Sequence, residues 1–162
     1  NDIQGSYKRE TTNAISETFR GSYLMIEAHG WKGSASCKVA RFQDQIVIRF
    51  GTVTTRGGTL KKHMARLARV QLRDMHPSFL DYSVKIWIEG ADLARSYDAD
   101  NVAKACLDAL NGIVWRDDRQ VVQLLIEKTF GETPAITIHA QPFETAFAAD
   151  ELALLLERVD AI

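Results

Sequence analysis

Cysteine is scarce in this chain: only Cys37 and Cys106 occur, far apart and outside any CxxC arrangement. That spacing argues against a zinc site or a redox pair, and reduced thiols are the simpler reading. Long apolar runs are missing too. No uninterrupted stretch approaches the roughly 20 residues a membrane helix needs, and the N-terminus lacks the charged, apolar and small-residue order of a signal peptide, so a membrane partner is not expected and the cytoplasm is the default compartment. The four histidines, His29, His63, His76 and His139, are scattered without ligand spacing. A histidine metal site therefore gains little support. Net charge is also lacking, at −1. A neutral total gives no general attraction to a polyanion, so any nucleic-acid contact has to come from a local patch.

What is present fits one soluble domain with a sizeable core: 162 residues, 46% hydrophobic and 25% charged. The charge is unevenly placed. Arg56, Lys61, Lys62, Arg66, Arg69 and Arg73 come with no acid until Asp74, whereas beyond Gln141 the acids Glu144, Asp150, Glu151, Glu157 and Asp160 outnumber Arg158. Residues 1 to 20 are polar and read as a lead or an extra element. Ser22 to Glu27 is a candidate short strand, and Gly30 to Ser36 reads as a Gly/Ser-rich loop.

Alternation in Gln45 to Phe50 and in Tyr82 to Glu89 predicts two strands, with Ile46, Ile48 and Phe50 on one face of the first and Val84, Ile86 and Ile88 on one face of the second. Between them Thr59 is a fair N-cap for a helix to about Met75, stopped by His76-Pro77. Asp100 or Asn101 is expected to cap a helix that ends at Asn111-Gly112. Gln120 to Glu127 and Ala135 to His139 supply two further strands, and Glu144 to Val159 reads as a helix with an apolar stripe at Leu152, Leu155, Leu156 and Val159. The expected fold is therefore α+β: a mixed four-stranded sheet in β-α-β-α-β-β order with two helices on one face, plus a C-terminal helix and an N-terminal extension.

The chemistry concentrates at Asp98-Ala99-Asp100-Asn101, with Lys104 four residues past Asp100 and a second acidic pair at Asp117-Asp118. Grouped carboxylates suit a hard divalent cation, and a cation of that kind neutralises charge during phosphoryl transfer. Each part has a plain alternative. One helix-mouth acid is explained by an N-cap, the Asp117-Asp118 pair by a solvated turn, and Lys104 by an i,i+4 partnership with Asp100 or Asp108. The combination is harder to explain so. Lys62, Arg66, Arg69 and Arg73 follow i, i+4, i+7, i+11 and make one helical stripe, which is a solvated face on spacing alone.

Residues Tyr97 to Val122, reading YDADNVAKACLDALNGIVWRDDRQVV, resemble the signature of the RusA family of Holliday junction resolvases: DxDN, a lysine, a helix reading LDALNG, and a DD-x-Q-V turn entering a strand. The resemblance is sharp over about residues 97 to 128 and extends less sharply from about 45 to 140. It implies a Mg²⁺-dependent endodeoxyribonuclease that acts as a homodimer and resolves a four-way junction by paired symmetric nicks. It places Asp98, Asp100 and Asp118 on the metal-binding positions, Lys104 on the essential lysine, and Asn101 and Gln120 among the organising residues. Asp117 is the less favoured acid of its pair. Beside such a site Arg56, Lys62, Arg66, Arg69 and Arg73 become DNA-facing candidates. The domain division it suggests is an extension over 1–40 and a RusA-like domain over 41–162.

Two features depart from the family pattern. Tyr97 stands where relatives often have a basic residue, and Gly51 to Gly58 holds one arginine and no proline where many relatives carry a proline- and arginine-rich loop. Another branched or flapped DNA substrate thus stays open, as does a non-catalytic DNA-binding module whose acids only cap and turn. An aspartate-nucleophile phosphatase fits less well, because eight residues separate the strand ending at Glu89 from the DxD.

Overall fold

The computed structural model describes residues 30–51, 57–90, 98–129 and 132–143. The elements run β1 (Lys32–Ser34), β2 (Cys37–Phe42), β3 (Gln45–Phe50), α1 (Gly57–Gln71), β4 (Tyr82–Glu89), α2 (Ala99–Leu110), a 3-10 turn (Asp118–Gln120), β5 (Val121–Thr129) and β6 (Ala135–Pro142). The strands form one six-stranded sheet in the order β1-β2-β3-β6-β4-β5. Among the described strands only β4 and β5 pair in parallel, joined through α2 as a parallel connection requires; the other neighbours are antiparallel.

The mixed sheet with two helices is as expected, but two strands more than the expected four are present. In place of the Gly/Ser-rich loop expected over Gly30 to Ser36, β1 forms a hairpin with β2. In β2 the buried Cys37 and Val39 lie opposite Phe50 and Ile48, while Lys38 and Arg41 interrupt the apolar pattern that would have betrayed a strand. Gln43, at φ 53, supplies the left-handed turn from β2 into β3. Gly33, at φ 121, leaves room for the Cys37 carbonyl, with which a Cβ would collide. β2 also straddles the expected division at residue 40. The polar lead, the candidate strand at Ser22 to Glu27 and the helix over Glu144 to Val159 lie outside the described residues.

Helix boundaries moved by a few residues. α1 starts at Gly57 rather than after Thr59 and ends at Gln71, four residues short of Met75. Its buried side is Leu60, Met64 and Ala68, and the spacing of four carries on to buried Leu72, the first residue past the helix. α2 starts at Ala99 with Asp98 in the capping position, ahead of the Asp100 or Asn101 expected there, and ends at Leu110, with Asn111 in the C-terminal capping position and Gly112 at φ 73.

Both helices pack on one face of the sheet, where Val39, Ile46, Ile48, Phe50, Val84, Ile86, Ile88, Ile136 and Ile138 meet Leu60, Met64, Val102, Cys106 and Leu110. Each large apolar side chain buried there contributes about 2 kcal/mol. Both cysteines are free and buried, and burial pushes the Cys37 thiol up to about 11. On the other face the Arg49 guanidinium pairs with Glu89 and donates to the Thr137 hydroxyl at 2.7 Å. His139 is nearly fully buried there, 3.0 Å from the Gln45 side chain, and burial together with the nearby Lys85 charge lowers its pKa to about 4. β5 is an outer strand, and Val122, Leu124 and Leu125 on it are 49%, 41% and 42% exposed.

Candidate active site

The N-terminal mouth of α2 presents two carboxylates to solvent. Asp98 has extended backbone, φ −69 and ψ 127, suited to an N-cap, yet its side chain makes no capping hydrogen bond. Its Oδ2 instead lies 3.4 Å from the Asn101 side-chain amide, a long contact. The cap explanation for this acid therefore fails at the side chain. Asp100 lies in the first helical turn, exposed, where free N–H groups and the positive end of the helix dipole favour an anion.

Val102, Ala103, Ala105, Cys106, Ala109 and Leu110 turn to the core, so Asp100, Lys104 and Asp108 fall along the outward face at four-residue intervals. Asp108 is already paired: Lys61 of α1 holds its Oδ2 at 3.0 Å. Among the described residues no ion pair is made by Lys104.

The other end of α2 is tightly fastened. Trp115 is fully buried, packs against Tyr82 at 5.7 Å between ring centroids, and donates its indole N–H to Asn111 Oδ1 at 2.9 Å. Asp117 caps the 3-10 turn by accepting from the Arg119 N–H at 3.0 Å. Gln120 completes a capping box, accepting from the Arg116 and Asp117 N–H groups at 2.8 and 3.2 Å while donating to the carbonyls of Ser78 and Leu80 at 2.9 and 2.7 Å. Asp117 and Gln120 are thus committed to the turn. The Asp118 carboxylate makes no hydrogen bond or ion pair among the described residues, and its side chain is half-buried.

These two acidic places stand apart within one chain. Asp118 precedes β5 where Val121 pairs with Tyr82, the first residue of β4, whereas Asp98 follows the far end of β4 and opens a helix of 12 residues, about 18 Å long at ~1.5 Å per residue. The convergence of Asp98, Asp100 and Asp118 around one ion is accordingly not found within the chain, and no group of three His, Cys, Asp or Glu suited to a metal occurs among the described residues. Spacing misleads here because β4 and β5 are parallel neighbours, and α2 returns the chain along their length before β5 begins. Asp98 and Asp100 alone still match Mg²⁺, which is commonly held by one or two carboxylates together with waters and substrate phosphates.

Of the DNA-facing candidates, Lys62, Arg66 and Arg69 are exposed on α1. Arg73 lies just past the helix end, with Nε 3.4 Å from Asp74 Oδ1, and Arg56 falls outside the described residues. Sequence reading missed the Lys61–Asp108 pair and the four-way role of Gln120. The first has no signal in spacing, since 47 residues separate the partners; the second was visible only as a glutamine three residues after an aspartate.

The family model described as Endodeoxyribonuclease RusA matches residues 57–141, just over half of the 162 residues. A 41-residue stretch is 42% identical to the uncharacterized protein YqaN of Bacillus subtilis (strain 168), covering 25% of this chain and 29% of that relative's length. Among the described residues no helix is long and apolar enough to cross a membrane.

Proposed function

The chain belongs to the RusA endodeoxyribonuclease family, and from that premise we propose that it is a Mg²⁺-dependent endonuclease that resolves four-way DNA junctions, as a homodimer, by paired symmetric nicks. One observation carries the reading. The acids on the family's metal positions, Asp98, Asp100 and Asp118, make no ion pair among the described residues, and the one side-chain contact they have is the long one from Asn101 to Asp98, while their neighbours Asp117, Gln120 and Asp108 are all engaged. Carboxylates left without a cationic partner near a cation-binding motif are better explained by a ligand than by the fold.

A bound Mg²⁺ would neutralise phosphate charge and make a bound water more acidic. Asp98 and Asp100 would hold it at the mouth of α2, and Lys104, one turn further on, would set a fixed positive charge beside the scissile phosphate. Lys62, Arg66, Arg69 and Arg73, with Arg56 beyond the described segment, would neutralise flanking phosphates.

The separation of Asp118 from the other two acids favours a site shared between protomers. β5 is an outer strand with exposed Val122, Leu124 and Leu125, and exposed Leu80 lies at the same edge of the sheet, where its carbonyl is held by Gln120. Antiparallel pairing of two such strands about a two-fold axis sets the start of one β5 beside the end of the other. Asp118 of one copy then approaches the end of the sheet from which the other copy's α2 begins. Two sites result, as two symmetric nicks require.

Incubation of the protein with labelled four-way junction, flap and linear duplex, with and without Mg²⁺, tests the function. Paired nicks in strands of like polarity, on the junction and only with the metal, are expected. Equal cutting of flap or duplex would transfer the activity to another DNA substrate, and binding without cutting at any Mg²⁺ concentration would leave a DNA-binding module.

A further inference from the structure

Asp100, Lys104 and Asp108 stand at i, i+4 and i+8 on α2, so the Lys104 ammonium has two acids within reach, one turn to either side. The choice matters for a cation that is to act at the helix mouth. Toward Asp100 the pair has the favoured order, acid N-terminal to base, and the ammonium leans to the mouth; toward Asp108 it leans a turn away from Asp98. Asp108 is removed from this competition by α1. Lys61 Nζ sits 3.0 Å from Asp108 Oδ2, with the Asp108 side chain only 24% exposed, and the contact spans 47 residues of sequence.

We propose that Lys61 is a positioning residue: by engaging Asp108 from the neighbouring helix it leaves Lys104 free to work at the mouth of α2 beside Asp98 and Asp100. The proposal rests on the reading of Lys104 as the cation that acts on the scissile phosphate. It separates Lys61 from the stripe of Lys62, Arg66 and Arg69, because Lys61 is spent on a protein carboxylate and has no charge to offer DNA. The device is electrostatic and local: a half-buried carboxylate stripped of its lysine favours another cation nearby, and Lys104 stands one helical turn away on the same face.

The test compares Lys61→Met, Lys61→Arg, Asp108→Asn, the double variant Lys61→Met/Asp108→Asn and Lys104→Met on junction DNA with Mg²⁺, reading kcat and KM separately. Lys61→Met is expected to lower kcat roughly five- to tenfold with KM unchanged, and Lys61→Arg to restore it. The double variant is expected to recover kcat although it too lacks the ion pair, which a merely structural role would not permit. Thermal unfolding of every variant establishes that the fold is retained. Unchanged kcat in Lys61→Met, beside an inactive Lys104→Met, overturns the proposal, as does a double variant no better than the single one. A rise in KM without loss of kcat would make Lys61 a DNA contact instead. Full cleavage by Lys104→Met would sink the underlying reading of Lys104, whatever Lys61 does.

Discussion

The N-terminal and C-terminal ends of α2 carry similar acidic pairs and use them in opposite ways. At the C-terminal end Asp117 caps a turn, Gln120 makes four hydrogen bonds and Trp115 is sealed beneath Tyr82, so the segment from Asn111 to Gln120 is held by side chains at almost every step. At the N-terminal end Asp98 occupies the capping position without capping, and Asp100 and Lys104 point into solvent. Polar groups that stabilise a fold are paired; the mouth of α2 leaves its groups open. On the proposed function the same contrast runs within the Asp117-Asp118 pair, where Asp117 caps the turn and Asp118 is left for the metal.

The largest expected effect breaks the comparison at the mouth. Asp98→Asn keeps an excellent N-cap residue, so thermal stability should hold within about 0.5 kcal/mol, while cleavage should fall by at least about a hundredfold. Asp118→Asn should behave alike. Mixing the two inactive proteins discriminates further. If each site takes Asp98 from one protomer and Asp118 from the other, mixed dimers have one intact site and regain single-strand nicking; if both acids serve within one chain, no mixture is active. Gel analysis of nicked junctions reads the outcome directly.

Acidification needs separating from these effects, because the fold has a pH-sensitive group remote from both ends. His139 titrates near 4 when folded and near 6.5 when unfolded, so below pH ~6.5 the unfolded chain takes up a proton that the buried imidazole refuses. Stability should therefore fall as pH drops from ~6.5 to ~4, by about 3 kcal/mol in total. Urea midpoints at pH 7, 5.5 and 4.5 check this. A His139→Gln variant should show a flatter profile, and cleavage comparisons of the two ends belong above pH 6.5.

At the fastened end the consequences invert. Gln120→Ala removes four hydrogen bonds and leaves two carbonyls and two N–H groups to find water, which should cost about 2 kcal/mol. Asp117→Ala loses a cap worth about 1 kcal/mol, yet the folded fraction should still cleave near the wild-type rate. Chemical denaturation and cleavage measured on the same samples distinguish the two classes. An Asp117→Ala protein that is stable but inactive would move the metal role from Asp118 to Asp117.

The alternating strands Gln45–Phe50 and Tyr82–Glu89, both helices and the Asn-Gly stop were legible in sequence because each has a local signature: period two, period 3.6, or a glycine with positive φ. β1 and β2 were not, since Lys38 and Arg41 hide the alternation and only pairing with β3 makes the segment extended. The site divided in the same manner. Its acids could be picked out one by one, but their placement at opposite ends of β4 and β5 is a product of topology, and the Lys61–Asp108 contact arises only when α1 packs beside α2.

The smallest effects concern α1, where on the proposed function Lys62, Arg66 and Arg69 serve affinity while the mouth of α2 serves chemistry. Lys62, Arg66 and Arg69 are solvent-exposed, and Arg73 sits beyond the helix end beside Asp74, so its share should be the least. Replacing Arg66 or Arg69 by alanine should weaken junction and duplex binding alike, each lowering the slope of log affinity against log salt by about one, with turnover of bound junction preserved. Fluorescence anisotropy across a salt series measures both quantities. If Arg66→Ala and Arg69→Ala together alter neither affinity nor slope, α1 is a solvated face and the DNA approaches from another side. If instead they lower kcat at saturating DNA, the two surfaces act as one, and the division between binding helix and catalytic mouth fails.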